Sequence, residues 1–148
     1  MNRSPSGHHP IHIVTDFNIK LIEVTTMGKI AKQRHQAAIR QSFQCFYCGL
    51  PMWEASPAAL IHQYRLTPVE ARLLQCTGEH LQPRSEGGSD RPANIVAACR
   101  HCNGTRHKTP TVLSPEQYQK KVRARMGKGG WFPKGITSKV KGNKTNRV

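Results

Sequence analysis

The sequence predicts a small α+β domain stapled by a metal, and three observations carry that prediction. Two Cys-x-x-Cys pairs, Cys45/Cys48 and Cys99/Cys102, have the spacing at which both sulfurs of a pair can bind one tetrahedral zinc. The 50 residues between the pairs exceed what a plain zinc ribbon uses, so something folded occupies the gap. The later part of that gap reads as strand, Gly-rich loop and strand, and it runs into a helix at the second pair. An apolar fraction of 36% over 148 residues leaves a modest core, which a metal would help to hold.

Residues 1–28 carry the weakest pattern and read as an N-terminal extension. Ile11 to Val14 and Ile19 to Val24 have the composition of two short strands around Asp16. Met27 would serve equally as a start, and His8, His9 and His12 read as a polar tail rather than as ligands. From Lys29 to about Gln41 the period is helical, with Ile30, Ala37 and Ala38 on one side and Lys32, Arg34 and Arg40 on the other. No acid lies between Glu23 and Glu54, so that basic face fits solvent or a phosphate backbone equally well.

After Cys45-Phe-Tyr-Cys48, a helical insert is expected at about residues 50–72. Ser56-Pro57 starts a helix running to Tyr64, and Thr67-Pro68-Val-Glu70 has capping-box spacing for a second that runs into Leu73. The order is helix, turn, helix, but the first is apolar and the second short, which favours packing over reading a DNA groove. His62 reads as a surface or core histidine. The first strand is expected over Leu73 to His80, a surface loop over Pro83 to Pro92, and the second strand over Ile95 to Ala98, preceded by Asn94. A helix from Cys99 to Lys108 follows, stopped by Pro110, which bounds the central domain at residues 29–110.

Ser114-Pro115-Glu116-Gln117 caps a last helix, within residues 111–132, that packs on the core through Tyr118, Val122 and Met126 and stops at Gly127. Ten of the 23 Lys and Arg residues follow Glu116, with no acid among them, and residues 133–148 read as a basic disordered tail acting through charge. The net charge of +15 points to a polyanionic partner, most simply nucleic acid. The first apolar segment is broken by His12, Asp16 and Lys20, which fits neither a secretory leader nor a membrane span. A cytoplasmic protein is expected, where thiols stay reduced and paired cysteines bind metal, with Cys76 the odd fifth.

The order Cys45-x-x-Cys48, Glu79-His80-x-x-Pro83, Gly87-Gly88, Asn94, Cys99-x-x-Cys102-Asn103 resembles the HNH endonuclease family in its four-cysteine form, over Phe43 to Lys108. That resemblance implies a ββα-metal fold, a structural zinc on the four cysteines, and hydrolysis of DNA phosphodiester bonds with one divalent cation. It implies that Glu79 and Asn103 bind the cation, where many members have Asp and His, and that Asn94 holds the loop and orients the base. Oxygen ligands of this kind suit Mg²⁺ or Mn²⁺. A histidine side chain can take a proton near neutral pH, and His80 is expected to be the general base.

Asn103 and His107 lie four apart on the expected helix, so His107 is expected to touch the cation or the substrate. Phosphate contacts are expected from Lys32, Arg34, Arg40, Arg100, Arg106 and Lys108, while His101 reads as surface. Strand alternation puts Glu79 and His80 on opposite sides, which calls for a turn or bulge at Gly78 if both are to act together. The other reading, a zinc-knuckle DNA- or RNA-binding module without catalysis, would have the same charge and the same zinc.

Overall fold

Two five-residue strands organise the chain in the computed structural model, which describes residues 28–142. β1 (Cys76–His80) pairs antiparallel with β2 (Ile95–Cys99) in unbroken register, from Cys76 opposite Cys99 to His80 opposite Ile95. β2 leads straight into a helix, Arg100–Arg106, whose N-cap is Cys99, the Cys99 Sγ accepting from the Cys102 N–H. This is the ββα unit that the sequence predicts, within an α+β fold. The strand begins three residues later than expected, because Leu73 closes the helix before it. No bulge interrupts β1 at Gly78, which corrects that expectation.

The helices are numbered α1 (Lys29–Arg40), α2 (Ala58–Tyr64), α3 (Pro68–Leu73), α4 (Arg100–Arg106), α5 (Pro115–Gly127) and α6 (Ile136–Gly142). α1 lies on the sheet at close range because the residues it buries include Ala37 and Ala38. A Cβ on Gly78 would sit only 3.5 Å from side-chain carbons of Arg34 and Ile30. Just past α1, the Gln41 amide pairs with Ala97 as a strand would, donating to its carbonyl at 2.7 Å and accepting from its N–H at 2.9 Å. The Phe46 N–H donates to the same carbonyl at 3.0 Å, so side chain and loop together satisfy buried backbone that lacks a third strand.

Both capping boxes form, Thr67 with Glu70 at α3 and Ser114 with Gln117 at α5. Tyr118, Val122 and Met126 of α5 are buried, and the Tyr118 hydroxyl donates to the Cys102 carbonyl at 2.7 Å. Residues 133–142 are not the disordered tail that their charge predicts. Trp131 and Phe132 are buried, and α6 buries Ile136 and Val140, an i, i+4 apolar pair set among lysines. Lys139 Nζ lies 2.9 and 2.8 Å from the two carboxylate oxygens of Glu70 on α3. The expected strands near Ile11 and Ile19, and the last six residues, lie outside the described residues.

Removing the chain beyond Phe132 is therefore expected to uncover core rather than trim a tail. Ile136→Ala should lower unfolding stability by about 2–5 kcal/mol, the range for truncating a fully buried aliphatic. Urea or thermal unfolding reads this, and an unchanged melting temperature would contradict the docking of α6. Among the described residues no helix is long and apolar enough to cross a membrane.

Candidate metal and catalytic site

Three elements bring the four thiols together: Cys45 and Cys48 come from the turn after α1, Cys99 from the end of β2, and Cys102 from the first turn of α4. Their sulfurs all lie within 4.8 Å of one another and all four residues are buried. A tetrahedral zinc with Zn–S bonds of about 2.3 Å separates its sulfurs by about 3.8 Å. Cys48 Sγ and Cys99 Sγ are 3.9 Å apart, which matches that edge and is far beyond a disulfide bond.

The charge balance of the cluster points the same way. Burial alone would raise the Cys45 pKa, but hydrogen bonds from Cys102, Cys48 and Cys99 bring it well below the usual thiol range. Thiol hydrogen bonding and burial push Cys99 well above that range. A bound cation is what would let all four sulfurs ionise together. The cluster is a metal site of the structural-zinc type. Cys76 stands apart, its thiol pushed up to about 11 by burial with the Glu54 charge adding to it.

A second group of polar side chains gathers where β1 ends. Glu79 is 1% exposed, and its carboxylate is the centre of the group. Arg106 Nη1 donates to Oε1, the Tyr47 hydroxyl donates to the same oxygen at 3.0 Å, and His107 Nε2 lies 3.0 Å from Oε2. Burial and the neighbouring Glu79 charge raise the Tyr47 pKa, so the phenol stays a neutral donor. Asn103 donates through Nδ2 to Thr77 Oγ1 at 2.9 Å and to the Gly78 carbonyl at 3.2 Å. Its nitrogen is committed to the strand, and Oδ1 is the acceptor left over.

Residues 66–109 match the family model described as HNH endonuclease. This central segment is similar to the HNH family. The match spans β1, the loop, β2 and α4, and covers less than a third of the chain. No curated protein and no solved structure matches. The HNH assignment supports nuclease chemistry for the segment.

In HNH terms the remaining site residues surround the loop between the strands. His80 Nε2 lies 2.8 Å from Asp90 Oδ1, and Arg84 reaches the same carboxylate oxygen through Nε at 3.0 Å and Nη2 at 2.8 Å. Hydrogen bonding to His80 and Arg84 holds the Asp90 carboxyl below its usual range. Asn94 clasps the loop: Oδ1 accepts from the Gln82 N–H at 2.9 Å, and Nδ2 donates to the carbonyls of Gln82 at 3.1 Å and Ser89 at 2.8 Å. A Cβ on Gly88 would fall 1.9 Å from the Gln82 carbonyl oxygen, so only glycine lets the loop close this tightly.

Of the six expected phosphate contacts, Lys32, Arg40, Arg100 and Lys108 are exposed. Arg34 is half-buried and paired with Glu54 at 2.9 Å. Arg106 is corrected outright. It is 2% exposed, and besides Glu79 it donates to the carbonyls of His80 at 3.1 Å, Leu81 at 3.0 Å and Leu113 at 3.1 Å. A buried carboxylate needs a buried counter-charge, and that demand outweighs surface use of the guanidinium. His101 is half-buried rather than superficial, edge-on to Trp131 and tilted against Phe132, with Nε2 2.9 Å from the Trp131 carbonyl. Sequence reasoning missed Tyr47, Arg84 and Asp90; only the need to neutralise an inward Glu79 hinted at the first.

Proposed function

We propose that the protein is a metal-dependent endonuclease that hydrolyses DNA phosphodiester bonds, with His80 as the general base and Glu79, Asn103 and His107 as the seat of one Mg²⁺ or Mn²⁺. One observation carries the reading: Glu79 Oε2 and His107 Nε2 stand 3.0 Å apart at the end of the strand whose last residue is His80. Adjacent ligands of an octahedral cation with bonds of about 2.1 Å are separated by about 3.0 Å. Two of the three donors therefore already have the spacing such an ion requires, and Asn103 adds a neutral oxygen. Among the described residues only the four cysteines form a cluster of three or more His, Cys, Asp or Glu ligands, so this corner depends on the amide and on solvent or substrate oxygens.

A divalent cation held there would supply charge neutralisation on the phosphoryl oxygens and on the leaving oxygen. The chain's own residues do the rest. Arg106 and Tyr47 occupy Glu79 Oε1, which fixes the carboxylate so that Oε2 faces His107. His80 closes the strand on the other face, and a phosphate at the strand end reaches side chains from both faces without any bulge. Through its ring nitrogen away from Asp90, His80 takes the proton of the attacking water. Exposed Lys32, Arg40, Arg100 and Lys108 would hold the DNA backbone, and each neutralised phosphate steepens the salt dependence of binding.

Supercoiled plasmid tests this directly. Cleavage is expected with Mg²⁺ or Mn²⁺, loss on brief chelation, and recovery on adding either ion back, while the cysteine-bound metal stays constant throughout. Glu79→Ala should not recover. Cleavage that persists without any added divalent cation would remove the cation from the mechanism. DNA binding without cleavage under any of these ions would leave the zinc-knuckle binding module.

A further inference from the structure

The loop between the two strands does more than connect them. It is closed by Asn94 and Gly88, as described above, and it is pinned from outside by Gln33 of α1, whose side-chain amide donates to the Asp90 carbonyl at 2.6 Å. Three residues, Asn94, Gly88 and Gln33, thus fix the backbone at and around Asp90, a degree of support that a solvent-facing turn does not need. The side chain they aim meets one imidazole, that of His80, at 2.8 Å. We propose that Asp90 is a positioning residue for His80: its carboxylate binds the Nε2–H, fixes the ring's tautomer and rotation, and leaves Nδ1 as the nitrogen that accepts a proton from water. The proposal rests on the nuclease reading for its catalytic consequence, but not for the tautomer.

The proton's place follows from the donor and acceptor inventory. An ionised carboxylate only accepts, so a 2.8 Å contact with Nε2 is attractive only if Nε2 carries the hydrogen. Arg84 Nε lies 3.2 Å from the same ring nitrogen but nearer, at 3.0 Å, to Asp90 Oδ1, and its hydrogen goes to the carboxylate. Arg84 is more than half exposed and neutralises the carboxylate from the solvent side. With Nε2 spent on Asp90, Nδ1 is the ring nitrogen left to accept among the described residues. A histidine base without such a partner divides its population between tautomers and rotamers, only some of which can act.

The test uses the full chain in four forms: parent, Asp90→Ala, His80→Ala and the double variant. Plasmid cleavage with Mg²⁺ should show kcat reduced by about 10–100-fold in Asp90→Ala, a smaller loss than the ~10²–10⁴ expected for His80→Ala, with KM for DNA unchanged. In the His80→Ala background, Asp90→Ala should cost nothing further, because the carboxylate then has no ring to hold. In parallel, ¹⁵N shifts of the His80 ring should report the Nε2–H tautomer in the parent and a tautomer mixture in Asp90→Ala. An equal loss in both backgrounds, an unchanged kcat, or ring shifts indifferent to Asp90 would each overturn the proposal. A parent that never cuts DNA would overturn the nuclease reading instead, and the ring shifts would still decide the tautomer.

Discussion

Cys48→Ser and Cys102→Ser are expected to unfold the domain rather than loosen it. The four sulfurs tie the turn after α1 to the end of β2 and the start of α4, elements that otherwise share a two-stranded sheet and a small core. Apparent zinc affinities at such sites correspond to about 10–16 kcal/mol near neutral pH, comparable to or above the ~5–15 kcal/mol of net stability in an ordinary domain. Since that binding free energy is also folding free energy, losing one thiolate removes a term as large as the whole margin. Metal content and circular dichroism should fall together in either variant. Cys76→Ser is the control, because Cys76 is buried but lies outside the four-sulfur cluster, and its neutral thiol donates no charge to a metal. Retained metal with a small change in melting temperature is expected there; loss of metal would show the ligand set to be wrong.

The parts of the fold legible in the sequence are those written in local chemistry. Thr67 and Glu70, like Ser114 and Gln117, satisfy each other across three residues, so their helix starts can be read without knowing what packs on them. The two Cys-x-x-Cys pairs are equally local, and their convergence follows from needing four ligands for one ion. Arg106 was misjudged for the opposite reason. Its role is set by Glu79, 27 positions away, and that pairing exists only once strand alternation has turned the carboxylate inward.

α6 was hidden by averaging. Residues 133–148 carry four lysines and one arginine and no acid, yet two apolar residues four apart are enough to dock an amphipathic helix of about two turns. Asp90 was visible only as a turn residue. What aims it is loop closure by Gly88 and Asn94 together with an amide from α1, a set of contacts spread over 61 positions of chain, from Gln33 to Asn94. The unneeded bulge at Gly78 has a simpler cause: both faces of a strand are within reach of a group placed at its end, and β1 ends at His80.

His80→Ala is expected to abolish most DNA cleavage while leaving the protein otherwise as it was. Proton transfer by a positioned side chain contributes typically about 10²–10⁴-fold, and neither neighbouring histidine of the described α4 region is placed to substitute, since His107 faces Glu79 and His101 meets Trp131 edge-on. The fold should not notice the loss. The His80 ring contacts Asp90 and Arg84 but none of the four sulfurs, and Arg84 Nη2 still reaches Asp90 at 2.8 Å once the ring is gone, so the loop keeps its closing ion pair. Metal content, melting temperature and DNA affinity at fixed salt should therefore match the parent's, with kcat alone collapsing. If the protein is a binding module, the parent does not cleave and the substitution changes nothing measurable. Loss of the cysteine-bound metal or unfolding in His80→Ala would instead make His80 part of the structural framework, and the assignment of the base would have to be abandoned even for a parent that cuts DNA.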